Sequence, residues 1–507
     1  MNKLIDRGTR VLYCLFLGLI LILLMFFSGM EHACQRTFLL PDYALMLGGL
    51  LVLAAGAYLP LPAAQGRRYG WWVLGMCLLL FAVQLLVATQ TYFWPGWDAD
   101  TVLINANTLA FGDTWDLSYG YYATYPNNLL ITVLEKWLLQ LAAWLGIGEP
   151  QRLLVLAAVN CAINSLSCAL VYRTLCIMAR PRTALLGFGL SVALFGLSPW
   201  TLVPYTDSLA LVFPILMLWN VLRPAATRAG KAGKWALLGI LAGVGYAIKP
   251  QTLIVAIAVG LVALGQCFGK GQYKRLPALL LSAALVVTCF VGVRLGLNQL
   301  YVGEGFELEP DERFGVSHYL MMGLNETTNG VWSPEDVALS AECNGADERT
   351  RTNLTQSAQR LADMGVGGYA RHLAKKTLVN YDDGTFAWGM EGVFFKESYD
   401  APDTTLAPLL RGLTYPDGAG FALRSTLAQA VWLLVLMLCF CAGLGAGERG
   451  RCVLLLSLVG LMLFEALFEA RARYLYHFAP LFCVAAALGL QNLRRLARRP
   501  LRRPDGQ

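Results

Sequence analysis

Leu129 to Gly146 reads LLITVLEKWLLQLAAWLG. It is apolar enough to cross a bilayer, but Glu135 and Lys136 sit at its centre, and an ion pair in mid-lipid is costly. The reading of this segment decides the topology of everything after it. Apolar runs precede it at 11–30, 42–59 and 70–90. Others follow at 151–177, 183–199, 203–222, 236–249, 251–267, 277–298, 425–445, 451–468 and 474–492. Most approach the roughly 17–25 residues that a spanning helix needs. Place the N-terminus in the cytoplasm and leave Leu129–Gly146 out of the count. The loops with Arg67/Arg68, Arg180/Arg182, Arg223/Arg228/Lys231/Lys234, Lys270/Lys274/Arg275 and Arg449/Arg451 then all fall inside, with the tail NLRRLARRPLRRP. The positive-inside rule asks for that arrangement. Counting the segment as a span turns every later basic loop outward. It is therefore expected to lie along the outer interface, its charged pair turned to water or protein. The expectation is an all-α polytopic protein of about twelve transmembrane helices in the cell membrane, with both termini cytoplasmic.

Composition agrees. The chain has 507 residues, 57% hydrophobic and 14% charged, where a soluble protein carries roughly 25% charged. A lipid-embedded backbone must satisfy its own hydrogen bonds, so the spans are helical. The first run is longer than a signal-peptide core and leads into more spans, so it reads as a retained helix. The net charge of +7 sits in short loops and the tail, which is a topology signal rather than a nucleic-acid footprint. Most of the 13 cysteines lie inside apolar runs as small hydrophobes. Cys34 and Cys343 fall in outer loops, and no spacing ties them into a disulfide. Three parts are expected: a transmembrane module over 1–299 with an outer loop at 91–150, an extracytoplasmic region over 300–424, and helices with a basic tail over 425–507. The middle region is acidic, 19 Asp and Glu against 10 Lys and Arg. Ser333-Pro334-Glu335-Asp336 is a helix start: capping serine, proline in the first turn, acids at the positive dipole end. A further helix is expected from about Arg351 to Asn380.

The polar groups gather on the outer side. The first loop runs from Tyr92 to Asn128, YFWPGWDADTVLINANTLAFGDTWDLSYGYYATYPNN. Asp98 and Asp100 stand in an aromatic setting, before a helix-like stretch at 101–111. Desolvation beside aromatic rings suits a carboxylate to general-base work. The same pair reads as a solvated loop, or as an acidic pair for a divalent cation. Tyr125-Pro126-Asn127-Asn128 reads either as a turn with Asn128 capping the next helix or as sugar-binding amides. Lys249, before Pro250, breaks two short apolar runs. An unpaired lysine at a broken helix suits a phosphate, and a snorkelling lysine is the plainer account. Glu465, Glu469, Arg471 and Arg473 bracket the last outer turn. Glu465 needs a partner, for which Arg294 is the candidate. Arg473 reads as a phosphate clamp or as part of a salt-bridge cluster. The four histidines lack metal spacing. Neither a phosphate-cradling GxxxxGK[ST] loop nor a GxSxG elbow occurs.

These motifs together resemble the GT-C superfamily of membrane glycosyltransferases, in particular Gram-positive relatives of bacterial protein O-mannosyltransferases and aminoarabinose transferases (glycosyltransferase family 39-like). There the first outer loop opens with a catalytic acid, followed by an interfacial helix with Ala and Leu or Met before a Gly. The matching positions are Asp98, Ala106, Leu109 and Gly112, one residue short at the glycine. The YPNN string, the turn at Tyr205-Thr206-Asp207, Lys249-Pro250 and Arg473-Tyr474 are also similar. Many relatives place Glu directly after the acid. Ala99 stands here, so the base is either Asp98 or Asp100. The resemblance implies a polyprenyl-phosphate-linked sugar as donor and an acceptor glycan, lipid or protein. It implies Lys249, Arg471 and Arg473 at the donor phosphate, and Tyr125, Asn127, Asn128, Tyr205 and Asp207 at substrate. No cofactor is required beyond a divalent cation held by Asp98 and Asp100, if one is used. A flippase would show paired repeats and midplane charges, and none is evident. A surface-polysaccharide polymerase or ligase would share this scaffold.

Overall fold

The computed structural model describes residues 3–28, 38–58, 66–112, 117–268, 272–306, 309–400, 402–445 and 450–497. Cys34, most of the basic tail, Lys270 and Arg449 lie outside them. The first three helices are α1 (Lys3–Phe27), α2 (Asp42–Tyr58) and α3 (Gly66–Thr91). A short strand β1 (Phe93–Pro95) follows, then α4 (Trp97–Phe111), α5 (Tyr119–Thr124) and α6 (Leu129–Trp144). Next come α7 (Arg152–Met178), α8 (Pro181–Ser191), α9 (Thr206–Ala210), α10 (Val212–Leu222), α11 (Arg228–Ile248), α12 (Leu253–Cys267) and α13 (Leu276–Gly303). The polar region holds α14 (Val316–Gly323), α15 (Pro334–Ala341), α16 (Ala346–Tyr381), β2 (Phe395–Ser398) and α17 (Leu406–Thr414). Helices α18 (Phe421–Gly443), α19 (Arg451–Leu467) and α20 (Ala479–Ala497) close the fold.

Each of the twelve expected positions holds a helix over most of its described residues. Among the described residues seven helices are long and apolar enough to cross a membrane, and three shorter apolar ones stand at 42–58, 181–196 and 206–222. The protein is a multi-pass, helical membrane protein, and one two-stranded ribbon stands among the described residues. Helix α20 is its centre: every residue from Ala479 to Gly489 is buried, enclosed by α2, α7, α8 and α18. Gly489 lets α18 come close, since a Cβ there would lie 1.7 Å from the Leu438 carbonyl oxygen. At the other extreme, α13 buries almost none of its apolar face, with Leu281 75% exposed. In a bilayer that face meets lipid rather than water.

Helix α6 has 16 residues, about 24 Å at 1.5 Å per residue, short of the roughly 30 Å of hydrocarbon. Its charges do not pair with each other. Lys136 binds Glu304 at the end of α13, and Glu135 is buried without a hydrogen-bond partner. Both charges thus face protein, as expected of a pair turned away from lipid, and they diverge because consecutive helix residues point about 100° apart. Two other helix expectations hold in the polar region. Ser333 caps α15, accepting from the Asp336 amide at 3.3 Å. The long helix runs to Tyr381 and kinks at Gly365, where φ is 57°.

Candidate active site

The two-stranded ribbon brings distant parts of the chain together. β1 pairs antiparallel with β2, Phe93 opposite Ser398 and Trp94 opposite Glu397, with an irregularity before Pro95. The Gly96 amide donates to the Phe394 carbonyl at 3.1 Å. A Cβ on Gly96 would sit 1.8 Å from the Val393 carbonyl oxygen, so glycine is required here. The next residue, Trp97, has φ of 44°, in a region that non-glycine residues rarely occupy. Its ring lies 4.5 Å from that of Phe394. Backbone strain of this kind persists where the surroundings over-determine it. It directly precedes Asp98.

α4 begins at Trp97 rather than at 101, so both acids lie in its first turn, where the dipole favours them. Residues two apart on a helix point to opposite sides, and the two carboxylates part company. Asp100 accepts from the Trp94 indole at 2.7 Å and from Lys396 at 2.6 Å. Asp98 accepts from the Tyr121 hydroxyl at 3.1 Å and the Tyr205 hydroxyl at 3.3 Å. Among the described residues no cluster of three or more His, Cys, Asp or Glu could hold a metal ion.

Asn128 closes a ring around Asp98. Its amide nitrogen donates to the Tyr121 hydroxyl at 2.6 Å, and its oxygen accepts from Tyr205 at 3.4 Å. It makes no side-chain cap on α6, because this ring and Asn127, which donates to its oxygen at 3.1 Å, occupy the amide. Asn127 thus stands one step back from Asp98. Tyr125 packs on Tyr121 with ring centroids 5.3 Å apart. Burial, reinforced by the negative charges of Asp98 and Glu469, pushes the Tyr125 phenol up to about 12.

Tyr205 is the hinge between two halves of the site. Its hydroxyl touches Asp98, and the Arg473 guanidinium lies 5.6 Å from its ring centroid. Behind it, Asp207 is fully buried and shared by two cations: it binds Lys249, and Arg473 approaches at 3.4 Å. Lys249 also lies 4.8 Å from the Tyr474 ring. The expectation of an unpaired or snorkelling Lys249 is therefore corrected. It is 5% exposed and tied to a carboxylate, as a buried cation must be. Glu391, from the turn before β2, stands 3.6 Å from Arg473 and 3.5 Å from Arg471. Arg471 also faces Glu469 at 3.5 Å, and Glu469 accepts from the Tyr474 hydroxyl at 2.9 Å. Burial pushes the Glu469 carboxyl up, against the pull of Arg471 and Arg473. These arginine contacts are long, and the Nε atoms of Arg471 and Arg473 have no hydrogen-bond partner. Glu465 does not meet Arg294, which lies over Tyr246 at 5.4 Å. Both oxygens of Glu465 are buried without a hydrogen bond.

Residues from five separated stretches thus converge, and the sequence reading had most of them. It missed Tyr121, Glu391 and Lys396. Glu391 and Lys396 reach the site through the ribbon. The one local sign of Glu391 is its position between Gly389 and Gly392, both at positive φ.

A family model described as conserved hypothetical integral membrane protein matches residues 63–493. No curated protein matches the chain. Among solved structures, the apo crystal structure of ArnT from Cupriavidus metallidurans is similar at 14% identity and a TM-score of 0.33. The match covers 85% of this chain and 78% of that one, a superposition too loose to transfer any residue's role.

Proposed function

The chain belongs to the family of conserved hypothetical integral membrane proteins, and on that premise we propose that it is a membrane glycosyltransferase. It takes a sugar from a polyprenyl-phosphate donor and passes it to an acceptor hydroxyl on the extracytoplasmic face. One observation carries the reading: a partly exposed carboxylate, Asp98, and a buried ion-pair network that holds Arg473 lie on two sides of one tyrosine, Tyr205. A displacement at a sugar carbon needs that separation, a base on the side of attack and positive charge on the side of departure.

An ionised carboxylate offers about four lone-pair sites. Tyr121 and Tyr205 use two and orient the group, leaving room for an acceptor hydroxyl. Asp98 takes the hydroxyl proton as the oxygen bonds to the sugar carbon. The bond from that carbon to phosphate oxygen breaks, and the polyprenyl phosphate departs with the electron pair. Arg473 and Arg471, whose Nε atoms face Glu391 at 3.6 Å and Glu469 at 3.5 Å without a hydrogen bond, are suited to receive that charge. Lys249 and Asp207 hold Arg473 in place from behind. A single displacement with Asp98 as base inverts the sugar carbon, by analogy with inverting glycosidases. Asp100, turned away from Asp98 and tied to the Trp94 indole and the Lys396 ammonium, is a structural group. The placement of basic loops supports an extracytoplasmic site with both termini cytoplasmic.

The test is an assay of the purified protein in proteoliposomes with defined polyprenyl-phosphate sugars. The proposal expects release of polyprenyl phosphate coupled to an inverted glycoside. Sugar-lipid or solute crossing the bilayer with no bond broken would replace it with a transporter.

A further inference from the structure

We propose that a cavity on the far side of α4 from Asp98 is a binding site for a single neutral or amine-bearing sugar ring. The cavity measures about 290 Å³ and lies between α4, the start of α7 and the ribbon. That is the lower end of the size range for small-molecule sites, enough for one ring rather than a chain. Asn107 is nine residues from Asp98, two and a half turns, so it faces the opposite way. It shares the face of Asp100, seven residues away.

The walls are of two kinds. Trp94 and Tyr399 supply aromatic surface. The Trp94 indole nitrogen is spent on Asp100 at 2.7 Å, which fixes the ring and leaves its faces to the cavity. Tyr399 is braced by Tyr92, ring centroids 5.3 Å apart. Rigid aromatic walls suit the C–H faces of a sugar. The polar groups are Asn107, Glu149, Arg152 and Glu397. The Asn107 side-chain oxygen is buried and has no hydrogen-bond partner, a cost that a ligand hydroxyl would relieve. Arg152 is engaged already: it pairs with Glu149 at 3.2 Å, donates to the Ile147 carbonyl at 3.1 Å and covers the Phe111 ring at 4.4 Å. Two carboxylates against one committed guanidinium leave the cavity one charge negative, so anionic sugars are disfavoured. Asp100 acquires a purpose here, as the positioning residue for the Trp94 wall. This site stands apart from the transfer reaction and is tested by binding alone.

The experiment uses the full-length protein in nanodiscs, with methyl α-D-glucopyranoside, glucosamine and sodium glucuronate as probes. Binding is read by saturation-transfer difference NMR and tryptophan fluorescence. The first two probes should bind saturably, and glucuronate about fivefold more weakly. Tyr399→Ala and Asn107→Leu should each lower affinity by about fivefold, while Asp98→Asn leaves it unchanged. Thermal unfolding checks that the variants fold. Glu397→Arg, at an exposed position, provides a second route and should turn the preference toward glucuronate. Absence of saturable binding by both uncharged and amine probes overturns the proposal. So does binding lost in Asp98→Asn but kept in Tyr399→Ala, which would put the sugar beside Asp98.

Discussion

Removing Asp207 should destabilise the protein through Lys249. The side chains of Asp207, Lys249 and Arg473 are 1%, 6% and 8% exposed. Arg473 keeps Glu391 at 3.6 Å when Asp207 is gone. Lys249 keeps the Tyr474 ring and no carboxylate within ion-pair distance among the described residues. Breaking a buried pair from one side costs about 3–5 kcal/mol, because it strands the other charge. Asp207→Ala should therefore cost about 3 kcal/mol, at the low end, since the ring offers partial relief. Lys249→Met should cost less, because Asp207 still has Arg473. The double variant should cost well below the sum of the two, with a coupling of about 2 kcal/mol. Reversible unfolding in mixed micelles, followed by tryptophan fluorescence, gives all four corners of the cycle. A coupling below about 0.5 kcal/mol would refute the reasoning, and would return Lys249 to the free cation expected from its broken helix.

Gly96→Ala should separate β1 from β2, since the new methyl meets the Val393 carbonyl oxygen. Overpacking of this kind costs about 1–3 kcal/mol, and turnover should fall because Asp98 and Glu391 lose their common support; an active, fully stable Gly96→Ala would deny the ribbon that role. His318 is buried, binds Ser340 at 2.7 Å through Nδ1, and is pushed down to about 4 by burial. Its folded pKa lies below the unfolded value near 6.5, so its stabilising contribution is full above pH 6.5 and declines as pH falls toward 4. Up to about 3 kcal/mol is at stake over that window, and His318→Gln should flatten the pH dependence measured by thermal unfolding. An impermeant maleimide should reach Cys343 in intact cells, and Lys231→Cys only after permeabilisation; label at 231 in intact cells would invert the topology.

The membrane scaffold was legible because lipid imposes one rule on every span, and that rule shows in composition. The run at 474–492 was found by apolarity alone, though the resulting α20 is the central helix and α13 the lipid-facing one. Apolarity does not distinguish burial in protein from burial in lipid. Site residues close to a span end, such as Asp98, Lys249 and Arg473, stood out as polar groups next to apolar runs. Their partners did not. Glu391 sits in a loop of ordinary composition and meets Arg473 only because β2 pairs with a strand three hundred residues earlier. The pairing of Asp207 with Lys249 likewise joins two turns whose contact no local pattern encodes. The Glu465–Arg294 pair failed for the same reason: similar depth does not fix side-chain direction.

The proposed reaction makes Asp98 the base and Asp100 a support for Trp94. Asparagine keeps the shape and hydrogen-bonding size of aspartate but cannot take up the acceptor proton. Turnover of purified Asp98→Asn and Asp100→Asn, at matched protein level and with a polyprenyl-phosphate sugar that the wild type uses, tests this directly. Asp98→Asn should lose about 10²–10⁴-fold with its thermal stability kept, and Asp100→Asn should stay within about tenfold of wild type. Normal turnover in Asp98→Asn, or an equal loss in both variants, would contradict the account.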